Sequence, residues 1–260
     1  MLRNSFVFLE RVGYKTEERL WRQGVLCWED FLERSNVRGI SSRVKRRHDR
    51  ELEMALFSLR NKIPHYFSHR LKRRDHWRLY QEFRDSACFL DIETTGLGPW
   101  SSEVTVVGVS DGRRVKTFVR GINLSEEALV KELSRYKLVL TFYGAAFDLP
   151  FLAKKFPRLR ISVPHIDLCF AAKRVGLRGG LKTIERELGI SRDEEIRDID
   201  GLEAVRLWRH WERYGDEEAL ERLLEYNKAD VANLRALAEI VYQRLRARTF
   251  IASVDESPNV

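Results

Sequence analysis

"CFLDIETTGLG", residues 88–98, decides how this chain is read. A short apolar run carries two acids separated by one residue, Asp91 and Glu93, and then breaks at Thr94-Thr95-Gly96. Strand side chains alternate, so residues two apart project from the same face. The end of a buried strand therefore aims two carboxylates at one place. Such a pair repels, and one member stays protonated unless a cation holds both. A cation site is the simplest explanation, although acid-x-acid at a strand end also fits two solvated side chains.

Two distant segments extend this reading. "TFYGAAFDLPFL", residues 141–152, runs from a strand through small residues and puts Asp148 in the first turn of a helix. There an acid also complements the helix dipole. "LLEYNKADVANL", residues 223–234, places Tyr226 and Asp230 four apart on a predicted helix. At 3.6 residues per turn they lie on the flank of a stripe formed by Leu220, Leu223, Leu224, Val231, Leu234, Ala238, Val241 and Leu245. A sheet end packed on that stripe would meet both.

Around these segments the pattern alternates strand and helix from Ser86 onward. Strands are expected near 86–92, 103–110, 114–120, 137–142 and 160–166. Helices are expected near 125–135, 147–156, 168–175, 180–188, 201–213 and 216–246. Asp111-Gly112 makes a hairpin between the second and third strands. The later strands, separated by helices, should run parallel. The expected fold is α/β, a mixed five-stranded sheet flanked by helices.

Taken in order, "FLDIETTGL", "FDLPFL" and "YNKAD" resemble the three exonuclease motifs of the DnaQ-like, or DEDD, superfamily of 3′–5′ exonucleases, which has a ribonuclease H-like fold. The tyrosine four residues before Asp230 resembles the DEDDy branch; the histidine branch would carry His at 225, where this chain has Glu. "HIDL" and "GGLKTIERELGI" are similar to a prokaryotic YprB-type group within that superfamily. The resemblance implies that Asp91, Glu93, Asp148 and Asp230 hold two Mg²⁺ or Mn²⁺ ions about 4 Å apart for phosphodiester hydrolysis. It also implies that Tyr226 orients the attacking water. Thr94, Thr95, Gly96 and Leu97 would form a ledge under the terminal nucleotide. One departure matters. Related proofreading domains carry Asn five residues before the acid of the second motif, and Tyr143 stands there instead, which changes how the substrate is held. Lys182 and the amides after Gly180 would either meet a substrate phosphate or simply start a helix. Asp167 and His165 read as structural: a turn or helix cap, and a hydrogen-bonding partner.

The rest of the chain sets the context. The net charge of +8 resides in residues 1–85, with 20 Lys+Arg against 12 Asp+Glu, while the remainder balances 27 against 27. Such a basic block joined to a neutral domain suggests a polyanionic partner, or else a solvated Arg-rich helix. Residues 1–35 resemble a helix-hairpin-helix element, with a turn at Val12-Gly13, a cap at Thr16 and a helix ending at Gly24. A basic helical region follows over 36–85. It includes a helix over 41–63 with Leu52, Ala55, Leu56, Leu59 and Ile63 inside and Arg43, Arg46, Arg47 and Arg50 outside. Beyond it, Tyr66, Phe67, Trp77 and Tyr80 interleave with cations, either as core or as base-stacking platforms. The exonuclease-like domain occupies 86–246, and 247–260 reads as a flexible tail.

Three scattered cysteines (Cys27, Cys88, Cys169) give neither a zinc site nor a disulfide framework. "GLRGGLKT" fails as a P-loop because Leu181 separates Gly and Lys. No apolar run reaches membrane-spanning length, and Met1–Glu10 lacks a signal-peptide core, so a cytoplasmic protein is expected. The expected substrate is single-stranded DNA, with RNA as the alternative. A catalytically inactive nucleic-acid-binding scaffold and a repair or replication protein docking on the N-terminal part are the other readings.

Overall fold

The computed structural model describes residues 1–255. The chain divides into two units: Ser86–Ile240, and Met1–Asp85 together with the chain from Val241 onward. The boundary near the C-terminus falls inside one long helix rather than after it.

The smaller unit is helical. It comprises α1 (Tyr14–Arg22), α2 (Trp28–Glu33), α3 (Ser42–Arg60), α4 (His65–Ser68), a 3₁₀ segment over Arg73–Leu79 and α5 (Tyr80–Phe83). Gly13, not Thr16, caps α1, so the helix begins three residues earlier than the sequence suggests. Arg43, Arg46, Arg47 and Arg50 are exposed on α3 while Leu52, Ala55 and Leu59 are buried, as the helical period requires; Ile63, beyond its end, is exposed. Phe67, Trp77 and Tyr80 are buried, and the Tyr66 hydroxyl donates to the Glu51 carbonyl at 2.7 Å. Of the two readings of these aromatics, core is the one realised. The buried Arg78–Glu17 pair, 2.9 Å apart, ties the 3₁₀ segment to α1. Glu17 also accepts from the Phe6 amide at 2.6 Å and the Ser5 hydroxyl at 3.1 Å.

The larger unit is built on five strands: β1 (Ala87–Thr94), β2 (Val104–Ser110), β3 (Val115–Val119), β4 (Leu138–Thr141) and β5 (His165–Asp167). Their order is β3-β2-β1-β4-β5, with β1, β2 and β3 antiparallel and β4 and β5 parallel to β1. This is the mixed α/β sheet expected. The Asp111 carboxylate accepts from the Arg113 and Arg114 amides at 2.8 Å, and Gly112 at φ +82° completes the hairpin. β2 is buried throughout because its alternate residues face two cores. Val107 and Val109 meet Leu129, Phe151 and Leu152, whereas Val106 meets Trp208, Leu220 and Leu223.

The helices are α6 (Glu126–Leu133), α7 (Asp148–Lys155), α8 (Leu168–Lys173), α9 (Leu181–Leu188), α10 (Glu194–Arg197), α11 (Gly201–Tyr214) and α12 (Glu217–Arg246). The fifth strand is a correction. Pairing was expected over 160–166 but occupies His165–Asp167, and Leu159, Ile161 and Val163 pack on the core as irregular chain. Pro164 has no amide hydrogen to give a ladder. The segment expected as a flexible tail is helical in part. After α12, Ala247–Ile251 forms a π-helical turn and Ala252–Asp255 a last helix, α13, with Phe250 edge-on to Trp21 at 5.1 Å. The rest of the tail, 256–260, lies outside the described residues.

Candidate active site

β1 delivers Asp91 and Glu93 from its C-terminal half, with Asp91 opposite Gly108 and Glu93 opposite Val106 in the β1–β2 register. A bulge follows between Glu93 and Thr94. α12 crosses this face of the sheet and brings Asp230. One carboxylate oxygen from each of Asp91, Glu93 and Asp230 lies within 4.8 Å of the others. Asp148, at the start of α7, stands outside that triplet, but its charge acts on both Asp91 and Glu93. It is buried, it accepts from the Ile92 amide, and its Oδ1 has no hydrogen-bond partner among the described residues.

The electrostatics follow from crowding acids in a partly dry cleft. At an effective dielectric near 20, two unit charges about 4.8 Å apart repel by roughly 3–4 kcal/mol. Burial, then Glu93, Asp148 and Asp230, pushes the Asp91 carboxyl well above the usual carboxylate range. Glu93 is pushed up by burial and by Asp230, Asp148 up to about 7 by burial and, among the charges, Asp167. Asp230 is also raised by burial, with Arg192 and the Tyr226 hydroxyl pulling it back.

Polar neighbours hold the acids in place. Asn227, wholly buried on α12, donates its Nδ2 to Asp91 at 2.9 Å and to Glu93 at 3.5 Å. Its close seat depends on Gly108, where a Cβ would lie 2.3 Å from Asn227 Oδ1. Arg192 pairs with Asp230 and, at 2.9 Å, with Glu185, which in turn accepts from Asn233 at 3.1 Å. Burial opposes the charge on Arg192, but Asp230 and Glu185 more than offset it and its pKa rises. Tyr226 is buried and hydrogen-bonded to Asp230; burial and then the charges of Asp230, Glu93 and Asp91 raise its pKa, so the phenol is a neutral donor.

The remaining predicted residues fall around this cluster. Thr94 Oγ1 donates to the Gly96 carbonyl at 2.6 Å, Thr95 Oγ1 accepts from the Glu103 amide at 2.9 Å, and Leu97 projects into solvent at 83% exposure. Lys182 lies over the Tyr226 ring at 5.0 Å and donates to the Arg197 carbonyl at 3.0 Å. Tyr143 is half-exposed with a left-handed backbone, φ +64°. The Asp167 carboxylate does both structural jobs considered for it. It accepts from the Tyr143 and Ala145 amides in the turn before α7 and from the Cys169 amide in α8, each at 3.0 Å. His165 Nε2 bonds Thr141 Oγ1 at 2.8 Å. Asn227, Arg192 and Glu185 were not singled out from the sequence.

Residues 88–242 match the RNase_H superfamily. The chain belongs to the RNase_H superfamily. It is 28% identical to the uncharacterized protein MJ0365 of Methanocaldococcus jannaschii, across 58% of this chain and 93% of that one. Among solved structures it is similar to Brucella melitensis NrnC (25% identity, 68% of this chain, 82% of that chain, TM-score 0.48). It is also similar to the family B DNA polymerase of Pyrobaculum calidifontis (16% identity, 66% of this chain, 26% of that chain, TM-score 0.50), a likeness of fold.

Proposed function

We propose that this RNase_H superfamily chain is a metal-dependent 3′–5′ exonuclease of the DEDDy type, acting on single-stranded DNA. The observation that carries the reading is the convergence of Asp230, remote in sequence, with Asp91 and Glu93 to within 4.8 Å. Motif order and Tyr226 support the DEDDy assignment, and "HIDL" with "GGLKTIERELGI" supports a YprB-type affinity.

The donor set fits hard divalent cations: carboxylates raised by burial and by mutual repulsion, plus the orphaned Asp148 Oδ1. Asp91, Glu93, Asp148 and Asp230 would hold two Mg²⁺ or Mn²⁺ ions. Such ions, when bound, activate water and stabilise charge on the phosphoryl oxygens.

The chain's own groups do the positioning. Asn227 fixes the directions of Asp91 and Glu93, and Arg192 fixes that of Asp230. Tyr226, held neutral, donates a hydrogen bond and does not serve as a base; moved from Asp230 to the attacking water, it would orient that water. Lys182 supplies positive charge beside the phenol, where a substrate phosphate would lie. Thr94–Leu97 and Tyr143 would flank the terminal nucleotide. Hydrolysis forms a bond from water oxygen to phosphorus and breaks the P–O3′ bond. One proton goes to the leaving 3′ oxygen, and a nucleoside 5′-monophosphate is released.

The DNA preference rests on the helix-hairpin-helix resemblance of residues 1–35, with RNA as the alternative substrate. The exposed arginines of α3 are offered as a phosphate-tracking face, and the same unit as a docking point for a repair or replication partner. One observation favours a second reading, a catalytically inactive nucleic-acid-binding scaffold: the Arg192 guanidinium already engages Asp230. End-labelled single- and double-stranded DNA and RNA, with Mg²⁺, Mn²⁺ or EDTA, test the proposal. A 5′-labelled oligonucleotide should shorten stepwise in the presence of the ions. Intact substrate in every condition would refute the activity.

A further inference from the structure

Two half-exposed aromatic rings lie on and near the turn that leads to Asp148. Tyr143 lies on the turn between β4 and α7, and Phe170 in the first turn of α8. They are 49% and 48% exposed, with ring centroids 6.2 Å apart and planes tilted by 39°. Burying such rings is worth about 1.5–3 kcal/mol each, so the fold forgoes a gain by leaving both in water.

The backbone holds them there. Tyr143 adopts φ +64°, a conformation that disfavours a bulky side chain and that structures store at functional positions. Two bonds to Asp167 enforce it: the Tyr143 and Ala145 amides both donate to that carboxylate at 3.0 Å. The same carboxylate caps α8, the helix that carries Phe170, at the Cys169 amide. One anchor thus sets the positions of both rings. Its charge is also felt by Asp148, which opens α7 at the far end of the turn that carries Tyr143. Lys173 Nζ lies over the Phe170 ring, 5.3 Å from its centroid, and adds a cation to the pair.

We propose that Tyr143 and Phe170, with Lys173 beside them, form a stacking platform for a nucleobase of a single-stranded substrate whose end lies at the acids. The inference rests on the nuclease reading for its occupant. The chemistry fits nucleic acid: apolar ring faces take a base of any identity, and the adjacent ammonium takes the phosphate that accompanies it. The position held by Tyr143 is also the one where the sequence departs from the Asn of related proofreading motifs. A ring there adds a stacking face where an amide would offer hydrogen bonds.

The test is binding, measured by fluorescence anisotropy in Ca²⁺ with a labelled oligothymidylate and an abasic oligonucleotide of equal length and charge. The wild-type protein should bind the base-bearing oligonucleotide about tenfold tighter, the ratio that about 1.4 kcal/mol of stacking supplies. In the Tyr143→Ala/Phe170→Ala double variant that ratio should fall towards one, with abasic affinity unchanged. Tyr143→Phe should keep it. A ratio unchanged in the double variant would overturn the platform. Equal weakening on both oligonucleotides would do the same, assigning the rings to local folding. Turnover in Mn²⁺ is scored separately. A base preference without cleavage would sink the nuclease reading and leave the platform standing, and cleavage without a base preference would do the reverse.

Discussion

Gly108→Ala is the sharpest probe of how the sheet and α12 share the site. In β2, opposite Asp91, an added methyl would lie 2.3 Å from Asn227 Oδ1 and 2.7 Å from Val231 Cγ2. Real Cβ atoms essentially never come closer than 3.0 Å, so the first approach is short by about 0.7 Å and the second by about 0.3 Å. Neither neighbour can swing into solvent, because both side chains are fully buried. α12 must shift, or Asn227 must rotate away from Asp91 and Glu93. Overpacking of this kind costs about 1–3 kcal/mol, and losing a hydrogen bond to a charged group adds about 1.5–3 kcal/mol. We expect Gly108→Ala to lose about 2.5–6 kcal/mol in urea unfolding. Asn227→Ala removes the worst clash in advance, so the double variant should be less destabilised than the sum of the single changes, by about 1 kcal/mol. A Gly108→Ala protein as stable as wild type, or strictly additive costs, would refute the close approach and the bridging role of Asn227.

Three further outcomes follow from the same geometry. Asp91→Asn removes one of the repelling charges, so without metal it should raise stability by roughly 1–2 kcal/mol while abolishing divalent-dependent cleavage; a lower melting temperature in EDTA would contradict the crowding argument. Arg78→Met leaves Glu17 buried without its partner and should destabilise by roughly 3–5 kcal/mol. Burial already raises the Glu17 pKa despite Arg78, and losing Arg78 raises it further. A raised folded-state pKa favours folding only below the unfolded value, so the loss should be smaller at pH 5 than at pH 8; equal losses in urea titrations at the two pH values would overturn this account. Replacing Arg43, Arg46 and Arg50 by Gln should lower the slope of log affinity against log salt by up to about 0.7 for each phosphate no longer neutralised, and an unchanged slope would remove α3 from the nucleic-acid surface.

Much of this was legible because the signals are local and periodic. Acid-x-acid at the end of an apolar run, Asp-Gly between two strands, and Tyr226 and Asp230 on the flank of an apolar stripe each follow from backbone period alone. What escaped depends on tertiary approach. Asn227 lies within the very stripe of α12 that otherwise reads Leu223, Val231 and Leu234. A polar residue there had to be buried and therefore bonded. That was the available signal for its role. Arg192 and Glu185 gave no such signal, because an irregular stretch and the inner face of α9 meet at Asp230 only once folded. The fifth strand was misplaced because Ile161 and Val163 alternate like a strand yet are half-buried by packing, without a ladder. The aromatics of 66–80 mixed with cations because Arg78 is itself buried on Glu17, which composition cannot reveal.

The central claim is that these acids form a site for divalent ions, and calorimetric titration of the metal-free protein with Mn²⁺ tests it most directly. We predict saturable binding to the wild-type protein and its loss in Glu93→Gln, with the variant still folded by circular dichroism. No binding heat in the wild type, or the same heat in both proteins, would contradict it.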